Sequence, residues 1–258
     1  MNGGFENSVA VVTGAARGIG RAIAEQLNEQ GAHVWLVDCD ADGLRAAAES
    51  ILRPDGSSSR YTVIDLADAT AIATLAGEIA ASESKVDILI NNAGIELDQP
   101  FEKITANAFD RVIAVNLRAA FLVSQVLAPL FPSTGGAIVN ISSIHATHAF
   151  PNSIPYACSK AGLVALTRNL ALELAPQRIR VNAVCPGYID TQLWEEFLRA
   201  ASDPDLVASQ TEALHPLGRR GQPCDVASAA IYLASSSATW VTGTNLVVDG
   251  GLTIRAHL

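Results

Sequence analysis

Residues 156 to 160 read YACSK, which sets a phenol and an ammonium group four positions apart at the head of an apolar-patterned run, YACSKAGLVALTRNLALELA. On a helix that spacing puts Tyr156 and Lys160 on one face, one above the other. A phenol with a reference pKa near 10 is a weak base at neutral pH, and bringing it to about 7 takes roughly 4 kcal/mol of preferential stabilisation of the phenolate. A cation one turn away supplies part of that difference. The pair is a candidate proton-transfer couple, but in isolation it proves little, and a packed Tyr beside a solvated Lys is the commoner arrangement.

A second stretch, TGAARGIG at 13–20, closes one apolar run and opens a helical pattern. Gly14, Gly18 and Gly20 fall where a backbone turns sharply, approaches a phosphate closely and lets a helix pack on a strand. The free N–H groups and positive dipole end of the following helix suit a pyrophosphate. The spacing GxxxGxG departs from the common GxGxxG, so the weight rests on the order strand, glycines, helix, strand. Asp38 ends the second apolar run, eighteen residues after Gly20. There a carboxylate accepts from adenosine ribose hydroxyls and repels a 2′-phosphate, which favours NAD over NADP, although Arg17 could attract such a phosphate.

These residues need elements to hold them. Seven apolar runs, SVAVVT (8–13), AHVWLVD (32–38), RYTVID (60–65), VDILIN (86–91), GAIVNIS (136–142), IRVNAV (179–184) and TNLVVD (244–249), read as strands covered on both faces. Between them lie AIAEQLNEQG with Gly31 as its stop, ADGLRAAAESIL, DATAIATLAGEIAA, a segment from about 106 to 131 closed by Pro129 and Pro132, and the helix that starts near Tyr156. Alternation of this kind predicts an α/β fold: a single-domain, Rossmann-type, doubly wound parallel sheet of about seven strands, helices on both faces, spanning residues 1–258. RPDGSSS (53–59) reads as a flexible turn. The stretch at about 188–222, where helical pieces break the alternation, is a candidate substrate lid.

Composition narrows the partners. With 258 residues, 49% hydrophobic and 17% charged, the chain can bury a large core, and a net charge of −9 opposes nucleic acid and anionic lipid. MNGGFENS has no basic n-region and no uninterrupted apolar stretch reaches the length of a membrane span, so we expect a cytoplasmic protein. Cys39, Cys158, Cys185 and Cys224 form no CxxC pair and read as reduced structural thiols. The histidines at 33, 215 and 257 have no ligand spacing, and no metal is expected.

Taken together, TGAARGIG, Asp65 after the third strand, NNAG at 91–94, Asn116 in a long helix, Ser143 thirteen residues before Tyr156, YACSK, and PG at 186–187 resemble the short-chain dehydrogenase/reductase family over essentially the whole chain. The resemblance implies a catalytic tetrad of Asn116, Ser143, Tyr156 and Lys160. It implies NAD held by Gly14, Arg17, Gly18, Ile19 and Gly20, by Asp38, by Asp65 and Leu66, by Asn92, Ala93 and Gly94, by Tyr156 and Lys160, and by Pro186, Gly187, Ile189 and Thr191. In such a site Ser143 holds the substrate oxygen and Tyr156, helped by Lys160, removes the proton of an alcohol whose hydride passes to NAD.

Glu96 in NNAGIE and His145 in SSIH resemble the sugar-oxidising branch typified by glucose dehydrogenase, which implies substrate contacts from Glu96 and His145 beside Ser143 and Tyr156; Trp194 is expected to line the same pocket, with no spacing that demands it. His148, Asn152, Tyr188 and Thr191 are further candidates for the pocket. The leading substrate is a sugar or polyol; a reductase of a cyclic ketone or acyl carbonyl and a non-catalytic nucleotide-binding redox sensor are the alternatives. By family analogy the chain forms a homotetramer through the helices around Asn116 and Tyr156 and the C-terminal segment.

Overall fold

In the computed structural model, which describes residues 4–52 and 56–255, the seven apolar runs become one parallel sheet. The chain runs β1 (Val9–Thr13), α1 (Gly18–Glu29), β2 (His33–Asp38), α2 (Ala41–Ser50), β3 (Arg60–Val63), α3 (Ala69–Ser82), β4 (Ile88–Asn91) and α4 (Ala106–Ile113). It continues through a π-helical stretch (Ala114–Arg118), α5 (Ala119–Leu127), β5 (Gly136–Ile141), α6 (Ile154–Leu174), β6 (Ile179–Pro186), α7 (Gln192–Ala200), α8 (Pro204–Leu214), α9 (Pro223–Ala234) and β7 (Asn245–Val248). Strand order is β3-β2-β1-β4-β5-β6-β7, so the winding reverses between β1 and β4. At such a point the loops leaving the strands part and open a crevice.

Strand side chains alternate between faces, and both faces are covered, which is why the runs are continuously apolar. Ala10 and Val12 of β1 join Leu36, Ile23, Leu27, Val226 and Ala230 in one core layer, while Val11 joins Trp35, Val37, Leu75, Val123 and Ile138 in the other. The edge strands depart from this expectation. Tyr61 and Val63 of β3 and Val247 of β7 are exposed, because an edge strand has a sheet neighbour on one side only.

Helix ends follow local chemistry. Gly31, at φ +94°, follows the α1 terminus as the left-handed residue after a C-cap. Asp40, Asp68 and Thr105 cap α2, α3 and α4 through their side chains. The segment expected from about 106 to 131 is one continuous helical run of 25 residues to Leu130, and with its most apolar window at a mean hydropathy of 1.6 it is by length and composition enough to cross a membrane. Half of its most apolar window is buried in the fold, as in the core helix of a globular protein. Of the turn at 53–59, residues 53–55 lie outside the described residues, as does His257; Leu52 and Ser58 form an isolated bridge around it.

Candidate active site

A cavity of about 670 Å³ runs along the carboxyl ends of β1 to β6, bordered by the loops that follow them. Of the residues singled out by sequence for catalysis, cofactor or substrate, all border this cavity except Gly20, Asn116 and His148.

At the β1 end, Gly14 and Gly18 take φ +66° and +57°. A Cβ at Gly14 would stand 2.7 Å from Asn92 Nδ2, and one at Gly20 would run into the Gly14 carbonyl oxygen, so Gly20 shapes the loop from behind. Asn92 Nδ2 donates to the Thr13 and Gly14 carbonyls at 3.0 and 3.1 Å, and Asn92 N to Thr13 Oγ1 at 2.9 Å, which locks the loop after β4 to the glycine loop. The N-cap of α1, Arg17, gives its first turn no side-chain bond, and no acidic residue lies in that turn. The helix terminus therefore keeps donors for an anion. Asp38 accepts from Ala16 N, Cys39 N and Asp40 N at 3.1, 2.7 and 3.1 Å, while Arg17 leans on Asp40 at 3.5 Å. Arg111, from α4, pairs with Asp65 at 2.8 Å and holds that carboxyl below its usual range. Sequence reading missed Arg111; its partner lies forty-six positions away, and no periodicity links the two.

In the middle of the cavity α6 begins with Pro155 in its first turn, where the missing N–H costs nothing. Lys160 Nζ donates to Ile141 O at 2.8 Å, Ser142 Oγ donates to Lys160 O at 2.9 Å, and Lys160 Nζ lies 5.4 Å from the Tyr156 ring centroid. The helical-face expectation holds, with Lys160 clamped to the end of β5. The electrostatics are opposite to the expectation. Burial pushes Tyr156 well above the ordinary phenol value, Glu96 adds to this, and a hydrogen bond with Ser143 works against it. Burial also brings Lys160 down to about 8. Two groups desolvated together both move toward neutrality, so the phenol is the resting form at neutral pH.

Asn116 stands away from the cavity. Its Oδ1 accepts from Ile95 N at 2.8 Å, and its Nδ2 donates to Ile95 O and Ser159 Oγ at 2.9 and 3.0 Å. Both Nδ2 hydrogens are used, and the side chain fixes the backbone of Ile95 beside Glu96.

The far end is aromatic. His145 stacks on Phe150 at 4.1 Å and meets Tyr156 edge-on at 5.2 Å; Tyr188 meets Trp194 at 5.6 Å. Burial, helped by the Lys160 charge, lowers His145 to about 4, so it is a neutral imidazole at pH 7. Burial, then the neighbouring Asp98, raises the Glu96 carboxyl. His145 Nδ1 and Trp194 Nε1 are buried with no hydrogen-bond partner among the described residues. Asn152, Tyr188 and Thr191 border the cavity, whereas His148 is exposed and faces Thr147 Oγ1 at 3.0 Å. Phe150 was not foreseen, since the loop SSIHATHAFPN has no period from which to read a buried face. The cysteines also differ from expectation: all are free, but only Cys185 is buried, and Cys39 borders the cavity beside Asp38.

Residues 14–253 match the family described as Enoyl-(Acyl carrier protein) reductase. The chain is 37% identical to D-threitol dehydrogenase of Mycolicibacterium smegmatis over 252 residues, covering 97% of this chain and 95% of that protein. It is 33% identical to a 3-oxoacyl-(acyl-carrier-protein) reductase of Chlamydia trachomatis over 253 residues, 98% of this chain and all (100%) of that one. Among solved structures it resembles the aldohexose dehydrogenase of Thermoplasma acidophilum, with a TM-score of 0.88 and 34% identity over 100% of this chain and 98% of that chain.

Proposed function

The chain belongs to the short-chain dehydrogenase/reductase family of nicotinamide-dependent oxidoreductases, and from that premise we propose that it is an NAD-dependent dehydrogenase of secondary alcohols or hemiacetals, with sugars and polyols as its substrate class. The residues present fit a dinucleotide. Gly14 and Gly18 take backbone angles that other residues resist, Gly14 lies too close to Asn92 and Ala93 for a Cβ, the first turn of α1 keeps its donors, and three backbone N–H groups leave the Asp38 carboxylate room for a further donor, such as a ribose hydroxyl. When bound, NAD supplies the hydride acceptor.

The chain's own groups do the rest. Tyr156 exchanges a proton with the substrate oxygen at its phenol oxygen, Ser143 hydrogen-bonds that same oxygen, and Lys160 holds ribose hydroxyls and balances charge on the phenolate. With the Tyr156 pKa raised by burial, the phenol suits proton donation in carbonyl reduction, and alcohol oxidation gains as pH rises.

The substrate class rests chiefly on the far end of the cavity, where Trp194 Nε1 and His145 Nδ1 are unpaired, and on Glu96, which borders the same cavity. Unpaired polar groups in a closed pocket cost about 1–3 kcal/mol each, and a ligand with several hydroxyls relieves both atoms together and can donate to the Glu96 carboxyl as well. A second reading, reduction of an acyl or cyclic ketone, draws on the aromatic wall of Phe150, Tyr188 and Trp194 and on the acyl-reductase relative. A panel of sugars, polyols and cyclic alcohols with NAD and NADP, and of ketones with NADH and NADPH, followed by the absorbance of the reduced cofactor, tests the first reading. Oxidation of a polyol or sugar with NAD is expected; activity confined to cyclic alcohols or acyl ketones puts the second reading in its place.

The same reading includes a cytoplasmic homotetramer. Three exposed free cysteines fit a reducing compartment, and Phe121 on α5, Leu172 on α6 and Ile254 near the C-terminus expose apolar area suited to subunit contact.

A further inference from the structure

Resting on the reading of the aromatic end as the substrate site, we propose that Arg220 is a positioning residue that clasps Trp194, and with it α7, against that end of the cavity. Its guanidinium lies 5.0 Å from the Trp194 ring centroid. It donates from Nε to Asp190 Oδ1 at 2.6 Å and from Nη1 to Glu212 Oε1 at 2.8 Å and Ala208 O at 3.4 Å. One side chain, only 14% exposed, thus joins the loop after β6, α7, α8 and the loop before α9. Gln222 Nε2 completes the set on Asp190 Oδ2 at 2.6 Å.

The anchor is firm and the anchored part is not. Gly221 N donates to Tyr188 O and Asp190 N to Gly221 O, both at 2.9 Å, and Arg219 pairs with Asp225, which caps α9 through Gln222 N. Helix α9 is rooted in the core by Val226, Ala227 and Ala230. By contrast, Trp194 is the one buried side chain described in α7, and Thr211 the one in α8. So little apolar burial leaves these helices dependent on polar ties, and elements with few buried contacts open locally. A guanidinium can stack on an indole and bridge two carboxylates at once; an ammonium cannot do both. Arg220 itself does not border the cavity, so its effect passes through Trp194, which does. This gives the 188–222 segment a mechanical role: it seats over the site when Arg220 is paired.

The test uses the full chain and the alcohol oxidised best in the panel. Arg220→Ala should raise amide hydrogen exchange over residues 192–214 by roughly tenfold or more while β1, β4, β5 and β6 keep their protection. It should raise KM at least about fivefold with kcat within about twofold, and Arg220→Lys should restore stability but less than half of the KM loss. In a Trp194→Leu background the further change in KM from Arg220→Ala should shrink to within about twofold, because the shared contact is already gone. Exchange unchanged over 192–214, a rise spread evenly over the sheet, or an unchanged KM overturns the proposal. If Arg220→Ala does not fold, Arg220→Lys read by the same exchange and KM measurements decides it. Failure of the polyol reading is separate: the parent then oxidises no sugar or polyol, and the exchange difference, which needs no substrate, still decides the clasp.

Discussion

At the β1–α1 end of the cavity the binding groups are mostly backbone, and the side chains there are already tied down: Asp38 by three N–H groups, Asp65 by Arg111, Asn92 by the Thr13 and Gly14 carbonyls. At the aromatic end the binding groups are side chains from separate loops, and two buried polar atoms, His145 Nδ1 and Trp194 Nε1, have no partner among the described residues. One end has its side chains fixed before a ligand arrives. The other is completed by its ligand, and its affinity should therefore depend on what hydrogen-bonding groups the ligand carries.

Tyr156 sits where the two ends meet, and its loss should give the largest effect. Tyr156→Phe should lower turnover at least roughly a hundredfold while NADH affinity, followed by fluorescence titration, stays within about twofold. Turnover within about tenfold of the parent would remove Tyr156 from proton transfer. At the fixed end, Asp38→Ala should cut the ratio of NAD to NADP efficiency by a factor of tens, and should also loosen the loop whose three N–H groups lose their acceptor. Steady-state kinetics with both cofactors measures the ratio, and a parent that already uses them equally contradicts the reading of Asp38.

At the other end, Glu96→Ala and His145→Ala should each raise KM for a polyhydroxylated substrate by roughly tenfold, with less than about twofold change on a plain cyclic alcohol. Equal losses on both would mean that the aromatic end does not read hydroxyl groups. The smallest effect concerns acid stability. His145 titrates near 4 in the folded chain against an ordinary value of 6.5, so the unfolded chain takes up more protons between those values. Stability conferred by the neutral, buried ring is present above about 6.5 and is lost as pH falls toward 4. Denaturant midpoints across that window should fall less steeply in His145→Gln; parallel profiles would show that the ring's burial does not set this slope.

The contrast between the two ends also explains what could be read from sequence. Strand runs, the glycine loop and the Tyr156–Lys160 face were legible because backbone requirements leave local marks: glycine at positive φ, apolar continuity in a doubly covered strand, and a spacing of four on a helix. Exposure at β3 and β7 was hidden, since edge position depends on strand order rather than on the strand. Arg111 with Asp65, Ser159 with Asn116, and Phe150 under His145 were hidden too, because each pair is made by the fold between residues with no periodic relation. The sign of the Tyr156 shift was missed for a related reason: spacing shows that a cation is near, but not how much water both groups have lost.

The π-helical stretch Ala114–Arg118, where Ala119 N reaches back to Ala114 O, has a consequence for residue count. A π turn is one residue wider than an α turn, so it acts as a one-residue insertion held inside the helix. The apolar stripes before and after it are out of phase by about 100°, the turn per residue of an α-helix. Deleting a single residue within 114–118 would barely alter the run's hydropathy, and regular α geometry could close over the gap. Ala119, Val123 and Leu127 would keep the core face they now enter, while the wide turn that carries Asn116 to the Ile95 backbone would be lost. Along this helix the cost of losing a residue therefore depends on where it is lost: within 114–118 the packing beyond the gap is kept, whereas a deletion in the regular turns of α5 swings the residues after it about 100° from the core.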